Sequence, residues 1–194
     1  MILSSCSNSN QDSSICQKFQ NETYLQNETN DASSEIMETY RYYLSKFGDS
    51  SIKGLESEAY QMMYYSSHKI GKFLKFEKTS NGVKISAKCI NETDLDFYCE
   101  EGETILDIKS WDTFIKMIYE FNYWTENRIE VNSGYLDSSF FILEGNRPEA
   151  KLCGKLDYNL VVRANPEYDK IESLCNEIMR FEEMNKQEKT NYVF

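Results

Sequence analysis

The order in which apolar spacing changes along the chain is the feature that most constrains its fold. Three segments have apolar residues at helical spacing: one begins near Ser34, one runs from Trp111 to about Trp124, and one follows Asn165-Pro166. The segments between them contain short apolar runs that are typical of strands. The resulting order is helix, several strands, helix, two strands, helix. It predicts an α+β fold in which helices pack on one face of an antiparallel sheet.

Local signals predict where several elements begin and end. Asn81-Gly82 indicates a tight turn between strands at 73–78 and 83–89, because both residue types adopt positive φ angles readily. Ser110 is a suitable N-cap for the second helix, and Asn165-Pro166 combines an Asn cap with Pro at the first helical position. Further strands are predicted at 59–65, where the apolar pattern does not alternate cleanly, and at 104–108, 140–144 and 159–163.

The chain divides into three predicted parts: a polar tether at residues 1–33, a single domain at 34–185 and a frayed tail at 186–194. Its 194 residues are 40% apolar and 14% aromatic, which is enough for one hydrophobic core. No apolar run approaches the length of about eighteen residues that a membrane-spanning helix requires. We therefore predict one folded domain and no transmembrane helix.

The first six residues end in Leu-Ser-Ser-Cys, which resembles a bacterial lipobox, the motif in which a cysteine is lipidated and becomes the new N-terminus. Only five residues precede Cys6, so a working signal peptide requires further residues upstream. The polar stretch at 7–33 would span about 30 Å as a flexible chain. We expect a lipoprotein with a membrane anchor on Cys6, held at the bacterial cell envelope. The alternative is an accidental cysteine in a disordered tail.

The six cysteines are more than a cytosolic protein of this size usually needs, which favours an exported protein. If Cys6 carries lipid, five remain, and at least one is unpaired or pairs with another chain. Cys89 and Cys99 flank a polar loop and are the candidate disulfide. Cys175 lies on the apolar face of the third helix, where a buried free thiol is expected. No Cys-x-x-Cys spacing occurs, so neither a redox motif nor a zinc site is predicted.

A net charge of −11 makes nucleic-acid binding a poor hypothesis, because phosphates are bound chiefly through clustered Lys and Arg. The densest group of acidic residues is Glu92, Asp94, Asp96, Glu100, Glu101 and Glu103. These residues lack the ligand register of a calcium-binding loop. The group is interpreted as a solvated acidic loop, a weak cation site or a docking surface for a basic protein partner.

Residues that could carry catalysis are few. The single histidine, His68, follows a strand-like run, and no Gly-x-Ser-x-Gly motif accompanies it. A solvent-exposed loop histidine is the simpler interpretation, and no spacing suggests metal ligands around it. The eight glycines form no phosphate-binding loop, so no nucleotide cofactor is expected. We predict no catalytic residues, no metal and no cofactor.

Two sequence blocks carry a resemblance to a known family. Residues 135–145 (YLDSSFFILEG) resemble the L-D-G-x-x-W-x-L-E-G block of an uncharacterised family of bacterial, often lipid-anchored, proteins. Residues 159–166 (NLVVRANP) are similar to its H-V-V-x-R-W-S-P block, and the match covers about residues 58–182. Ser138 stands where the family has glycine, and a phenylalanine where it has tryptophan. The resemblance implies architecture and anchoring, and it carries over no functional residue.

Together these features predict a non-enzymatic, envelope-tethered lipoprotein that acts as a binding domain. An immunity protein that neutralises a basic toxin is the sharper hypothesis within that class. The alternatives are an envelope hydrolase that uses carboxylates and a structural or assembly lipoprotein. A deep polar cleft that holds His68 beside carboxylates would favour the enzyme, whereas a flat or protruding acidic face would favour the binding domain.

Overall fold

The computed structural model of the protein describes residue 16 and residues 34–66, 70–92, 101–126, 129–131, 139–164 and 169–190. Its helices are α1 (Ser34–Lys46), α2 (Ile108–Glu120), α3 (Pro148–Leu152) and α4 (Lys170–Thr190), with a 3-10 turn at Tyr123–Thr125. Its strands are β1 (Ala59–Ser66), β2 (Ile70–Thr79), β3 (Gly82–Asn91), β4 (Gly102–Asp107), β5 (Ile129–Val131), β6 (Ser139–Asn146) and β7 (Tyr158–Ala164). None of the helices in these ranges is long and apolar enough to cross a membrane.

The strands form one sheet in the order β4-β3-β2-β1-β6-β7-β5. Six of them pair as antiparallel neighbours, whereas the three-residue β5 pairs in parallel with β7 at the edge. The predicted fold class, a single α+β domain built on an antiparallel sheet, is confirmed.

The helices cover both faces of the sheet. On one face α2 and α4 bury Trp111, Phe114 and Ile171, which belong to the larger core cluster. On the other face α1 packs Leu44 against Met63 of β1 and neighbouring apolar residues. The prediction placed the helices on one face, and the difference has a physical reason: nearly every residue of β1 is buried, so the centre of the sheet needs a cover on each side.

The predicted hairpin around Asn81-Gly82 is confirmed as β2 and β3, whose register places Thr79 opposite Gly82. Glycine is required at position 82 because its φ is +153° and an added Cβ would lie 1.9 Å from the carbonyl oxygen of Leu106. The turn therefore also sets how closely β4 approaches β3.

Helix α2 begins earlier than predicted. Ser110 is not its N-cap: the helix starts at Ile108, and Asp107 is the capping residue. The Asp107 carboxylate accepts hydrogen bonds from both the backbone N–H and the hydroxyl of Ser110, each at 2.8 Å. These bonds lower the pKa of Asp107. Asp107 is the N-cap instead of Ser110 because its charged carboxylate interacts more strongly than a hydroxyl with the free N–H groups of the first helical turn.

Replacing the cap, as Asp107→Ala, is expected to lower the free energy of unfolding by more than Ser110→Ala does. Because the folded-state pKa of Asp107 is depressed, its contribution is present above the unfolded-state pKa of about 3.9 and is lost as pH falls through the folded-state value. Urea unfolding of both variants at neutral and acidic pH measures this. An equal loss in the two variants, with the same pH dependence, would contradict the assignment of the cap.

The C-terminal helix buries the apolar face that was predicted, but it is longer than predicted. Its core residue Cys175 is a buried free thiol, as predicted, and burial raises the pKa of that thiol. Helix α4 continues to Thr190, beyond the predicted domain end at 185. The predicted cap at Asn165-Pro166 lies outside the described residues.

Candidate functional site

Several residues predicted to matter for function lie outside the described part of the chain: Cys6, His68, Asp94, Asp96, Cys99 and Glu100. Of the predicted acidic surface, the structure describes Glu92, Glu101 and Glu103. Two polar features of the described residues are candidates for a functional site. One is a buried carboxylate beneath α1, and the other is a charged groove on the uncovered half of the same sheet face.

The buried carboxylate belongs to Glu144, which lies in β6 and has no exposed surface. It accepts hydrogen bonds from the hydroxyls of Tyr40 (2.5 Å), Tyr158 (2.7 Å) and Ser51, the side-chain amide of Gln61 and the backbone N–H of Ile52 (3.3 Å). We refer to Glu144, Tyr40, Ser51, Gln61 and Tyr158 as the Glu144 cluster. Sequence analysis did not single it out, although an acidic residue within the apolar run 140–145 was a signal.

The Glu144 cluster joins α1, the segment that follows it, and strands β1, β6 and β7. Burial, followed by the charge of Glu144, raises the pKa of Tyr40 far above its usual range, so this hydroxyl stays protonated and donates. The hydrogen-bond partners of Glu144 described above come from α1, the segment after it and the neighbouring strands, and the carboxylate is closed to solvent. The arrangement therefore stabilises the packing of α1. It offers a substrate no surface on which a carboxylate could act.

The charged groove lies beside α1, on the part of the sheet face that the apolar cluster beneath α1 leaves uncovered. It has a volume of about 470 Å³ and is formed by β2, β3 and β4. Its charged lining residues are Asp49, Lys75, Glu77, Lys84, Lys88, Glu101 and Glu103. Two of the predicted acidic residues, Glu101 and Glu103, thus belong to it. Three lysines accompany the four acidic residues, so the described groove has mixed charge and is not uniformly acidic.

Ion pairs inside the charged groove engage most of these side chains. Lys84 contacts Glu103 at 2.6 Å, and the hydrogen bond between them lowers the pKa of Glu103 and raises that of Lys84. Lys88 binds Asp49 and donates to the carbonyl oxygen of Phe47 at 2.7 Å. All these pairs keep partial solvent exposure, so each contributes little to stability and can exchange with other charges.

The other two described acids of the predicted surface also contact their own chain. Glu101 accepts a hydrogen bond from the backbone N–H of Cys89 at 2.9 Å. Glu92 pairs with Lys46 at the end of α1, and this hydrogen bond raises the pKa of Lys46. A basic partner would therefore have to displace a lysine from Glu92 or Glu103.

A second cleft, of about 250 Å³, lies at the end of the sheet where β1 begins and β2 ends. Glu56, Glu58, Lys78 and Glu149 contribute charged side chains to it, and Lys78 pairs with Glu58 at 3.7 Å. Among the described residues, no group of three or more His, Cys, Asp or Glu side chains could hold a metal ion.

The structure contains a disulfide that sequence analysis did not predict. Cys16 and Cys153 form a disulfide with a Cα–Cα distance of 5.4 Å. Their separation of 137 residues leaves no local signal in the sequence. Cys89 is also disulfide-bonded, and its partner lies outside the described residues. The predicted pair of Cys89 with Cys99 therefore stays a prediction.

Comparison of the chain with protein-family models, with curated proteins and with solved structures gives no match in any of the three. The resemblance to a family of bacterial lipid-anchored proteins stays a prediction. The described parts of its two sequence blocks lie on β6 and β7, which are paired neighbours in the sheet.

Proposed function

We propose that this chain is a binding domain tethered to the bacterial cell envelope by lipid on Cys6, and that the charged groove receives a basic protein. The observation that carries the proposal is the half-covered sheet face. The apolar cluster beneath α1 covers β1, β6, β7 and Phe73 of β2, whereas the rest of β2, with β3 and β4, presents charged side chains around an open groove. An open face of this kind, in a chain of net charge −11, favours an oppositely charged partner.

The ion pairs of the groove suit reversible docking. Glu103 is 62% exposed and its partner Lys84 is 34% exposed. A basic side chain of a partner can replace Lys84 on Glu103 at small cost, because both charges are already partly solvated. Binding of this type depends on ionic strength, since exposed charges are screened by salt over about 8–10 Å.

The cysteine inventory supports the lipid anchor. Cys16 pairs with Cys153, and Cys175 is a buried free thiol. Cys89 is bonded to a partner outside the described residues, which leaves Cys6 and Cys99. If the predicted pair with Cys99 is correct, Cys6 is the cysteine available for lipid.

The alternative of an envelope hydrolase receives less support. The carboxylate with the most hydrogen bonds, Glu144, is fully buried. Three acidic residues of the groove pair with lysines, and the fourth, Glu101, accepts a hydrogen bond from the backbone N–H of Cys89. An immunity protein for a basic toxin is the sharper form of the proposal, because a small acidic domain at the envelope fits a basic partner delivered from outside. A structural or assembly lipoprotein would use the same surface for a resident envelope protein.

Reversing two charges in the groove is expected to abolish capture of the partner. Full-length wild-type protein and the Glu101→Lys/Glu103→Lys variant serve as baits in pull-downs from cells at low and high salt, with mass spectrometry as the readout. We expect one stoichiometric basic protein with the wild type at low salt, at least a tenfold loss at high salt, and a comparable loss with the variant at low salt.

The matched control is Glu120→Lys on α2. Glu120 is 61% exposed and pairs with Lys116, so it resembles Glu103 in exposure and pairing but lies on the opposite face of the sheet. Equal loss of the partner in Glu120→Lys would show a general charge effect and reject the groove. Capture of no protein by the wild type at either salt concentration would reject the binding function.

A further inference from the structure

The Cys16–Cys153 disulfide fixes where the N-terminal segment meets the domain. Cys153 follows α3, in the connection between β6 and β7. Without this bond, Cys6 would be connected to the folded domain only at Ser34, where α1 begins. With it, any anchor on Cys6 is connected at the end of α3.

Chain length turns this bond into a limit on distance. Cys6 and Cys16 are ten residues apart, so the chain between them spans at most about 36 Å. From Cys6 to Ser34 the chain has 28 residues and could span about 100 Å. A lipid on Cys6 therefore holds the end of α3 within about 36 Å of the bilayer surface, whereas the connection to α1 alone sets a limit almost three times as long.

The surface at that point has the residues that a lipid bilayer accepts. Leu152 is 74% exposed, the largest fraction among the exposed large apolar side chains of the described residues. Lys151 precedes it and is also exposed, and Lys155 follows Cys153 by two residues. An exposed leucine beside an exposed lysine can insert its apolar side chain while the ammonium group of Lys151 meets anionic headgroups. We refer to Lys151 and Leu152 as the α3 tip.

Glu92 lies at the other end of the sheet. Strand β3 begins at Gly82, at the same end of the sheet as α3, and runs ten residues to Asn91, after which Glu92 follows. Ten residues of strand span about 30 Å. An anchor at the α3 tip thus leaves Glu92 at the end of the sheet away from the membrane. The charged groove lies between the two ends, since its Glu77 and Lys84 are paired near the α3 end and its Glu101 contacts Cys89 nearer the other.

We propose that the α3 tip is the membrane-facing surface of this protein and that the Cys16–Cys153 disulfide sets this orientation. The inference rests on the proposed lipid anchor at Cys6. It assigns the bilayer as the partner of the α3 tip, and it places Glu92 at the end of the sheet away from the membrane.

Energy transfer to the membrane tests the orientation. A fluorescent amino acid is introduced at Ser57, at the α3 end, or at Asn91, at the far end, and the lipidated protein is bound to phosphatidylglycerol-containing vesicles that carry an acceptor lipid. We expect transfer from position 57 to be about twofold higher than from 91, because the tether holds the α3 end within about 36 Å of its lipid. Cys16→Ser/Cys153→Ser should remove most of this difference.

The tip itself is tested by Leu152→Ser, with Met184→Ser on α4 as the matched control, since Met184 is 65% exposed. Leu152→Ser should reduce the difference between the two positions, and Met184→Ser should leave it unchanged. Equal transfer from positions 57 and 91 in the oxidised protein, or no effect of Leu152→Ser, would overturn the assignment. So would the absence of a Cys16–Cys153 peptide in a non-reduced digest.

Failure of the lipid anchor can be distinguished from failure of the orientation. Intact mass spectrometry and vesicle flotation report whether Cys6 carries lipid in cells. If it does not, the proposed envelope anchor is rejected, and a maleimide phospholipid coupled to Cys6 then supplies an anchor at the same atom. Higher transfer from position 57 in that conjugate supports the orientation set by the disulfide, and equal transfer overturns it.

Discussion

Glu144→Gln is expected to lower the free energy of unfolding by about 3 kcal/mol, because a buried carboxylate with several donors would become an amide with only one acceptor oxygen. The hydroxyls of Tyr40 and Tyr158 and the N–H of Ile52 now point at this carboxylate. The side-chain NH2 of the introduced glutamine would face these donor groups, from which it cannot accept hydrogen bonds. Urea unfolding of the oxidised protein measures the loss.

Two further variants distinguish the contribution of the Glu144 carboxylate to stability from that of its hydrogen-bond donors. Tyr40→Phe removes one donor and is expected to cost about 1–1.5 kcal/mol. The double variant Tyr40→Phe/Glu144→Gln should cost less than the sum of the two, because the donors and the acceptor belong to one network. Glu120→Gln, an exposed acid on α2, is the control and should change stability by less than about 0.5 kcal/mol. A near-zero effect of Glu144→Gln would mean that the cluster is not what holds α1.

The Glu144 cluster also predicts a loss of stability at alkaline pH. Burial and the nearby Glu144 charge raise the pKa of Tyr40 in the folded state. A raised folded-state pKa contributes stability below the unfolded-state value of about 10, and that contribution is lost as pH rises above it. Burial raises the pKa of Tyr60 and Tyr123 in the same direction. Tyr40→Phe should therefore reduce the alkaline loss without removing it.

The sequence predicted the elements of the fold better than their layering. The Asn81-Gly82 hairpin and the apolar face of α2 follow from local rules, and both were correct. The second layer could have been inferred from 59–65, whose lack of clean alternation reflects burial on both faces of β1. The start of α2 was missed because Asp107 and Ser110 are both suitable N-cap residues. In the structure β4 ends at Asp107 and the helix begins at the next residue, which makes Asp107 the cap.

The candidate site was less predictable, because long-range contacts create it. Glu101 and Glu103 were identified as part of an acidic group, but the lysine that neutralises Glu103 lies on another strand and enters through strand pairing. The bond between Cys16 and Cys153 joins residues 137 positions apart. No spacing rule selects that pair from six cysteines, since four or more cysteines allow several pairings.

Phe114→Ala is expected to lower the free energy of unfolding by about 3–5 kcal/mol, the usual cost of removing a fully buried phenylalanine. Phe114 has no exposed surface. Its ring stacks on Phe76 at 4.3 Å between centroids and meets the edge of Tyr60 at 5.4 Å. Phe114→Leu keeps most of the volume and should cost about 1.5 kcal/mol or less. Thr113→Ala, on the exposed side of the same helix, is the control.

The two large effects should add, because they arise on opposite faces of the sheet. Glu144 belongs to the layer beneath α1, whereas Phe114 belongs to the core beneath α2 and α4. The residues that donate hydrogen bonds to Glu144 are also different from those whose rings contact Phe114. The double variant Phe114→Ala/Glu144→Gln is then expected to lose about 6–8 kcal/mol, which is comparable to the whole stability of an ordinary domain of about 5–15 kcal/mol. A loss smaller than the sum by more than about 0.5 kcal/mol would show that the sheet transmits strain between its two faces. In that case, removing contacts beneath α1 would also loosen the core that positions β3 and β4, and with them the charged groove.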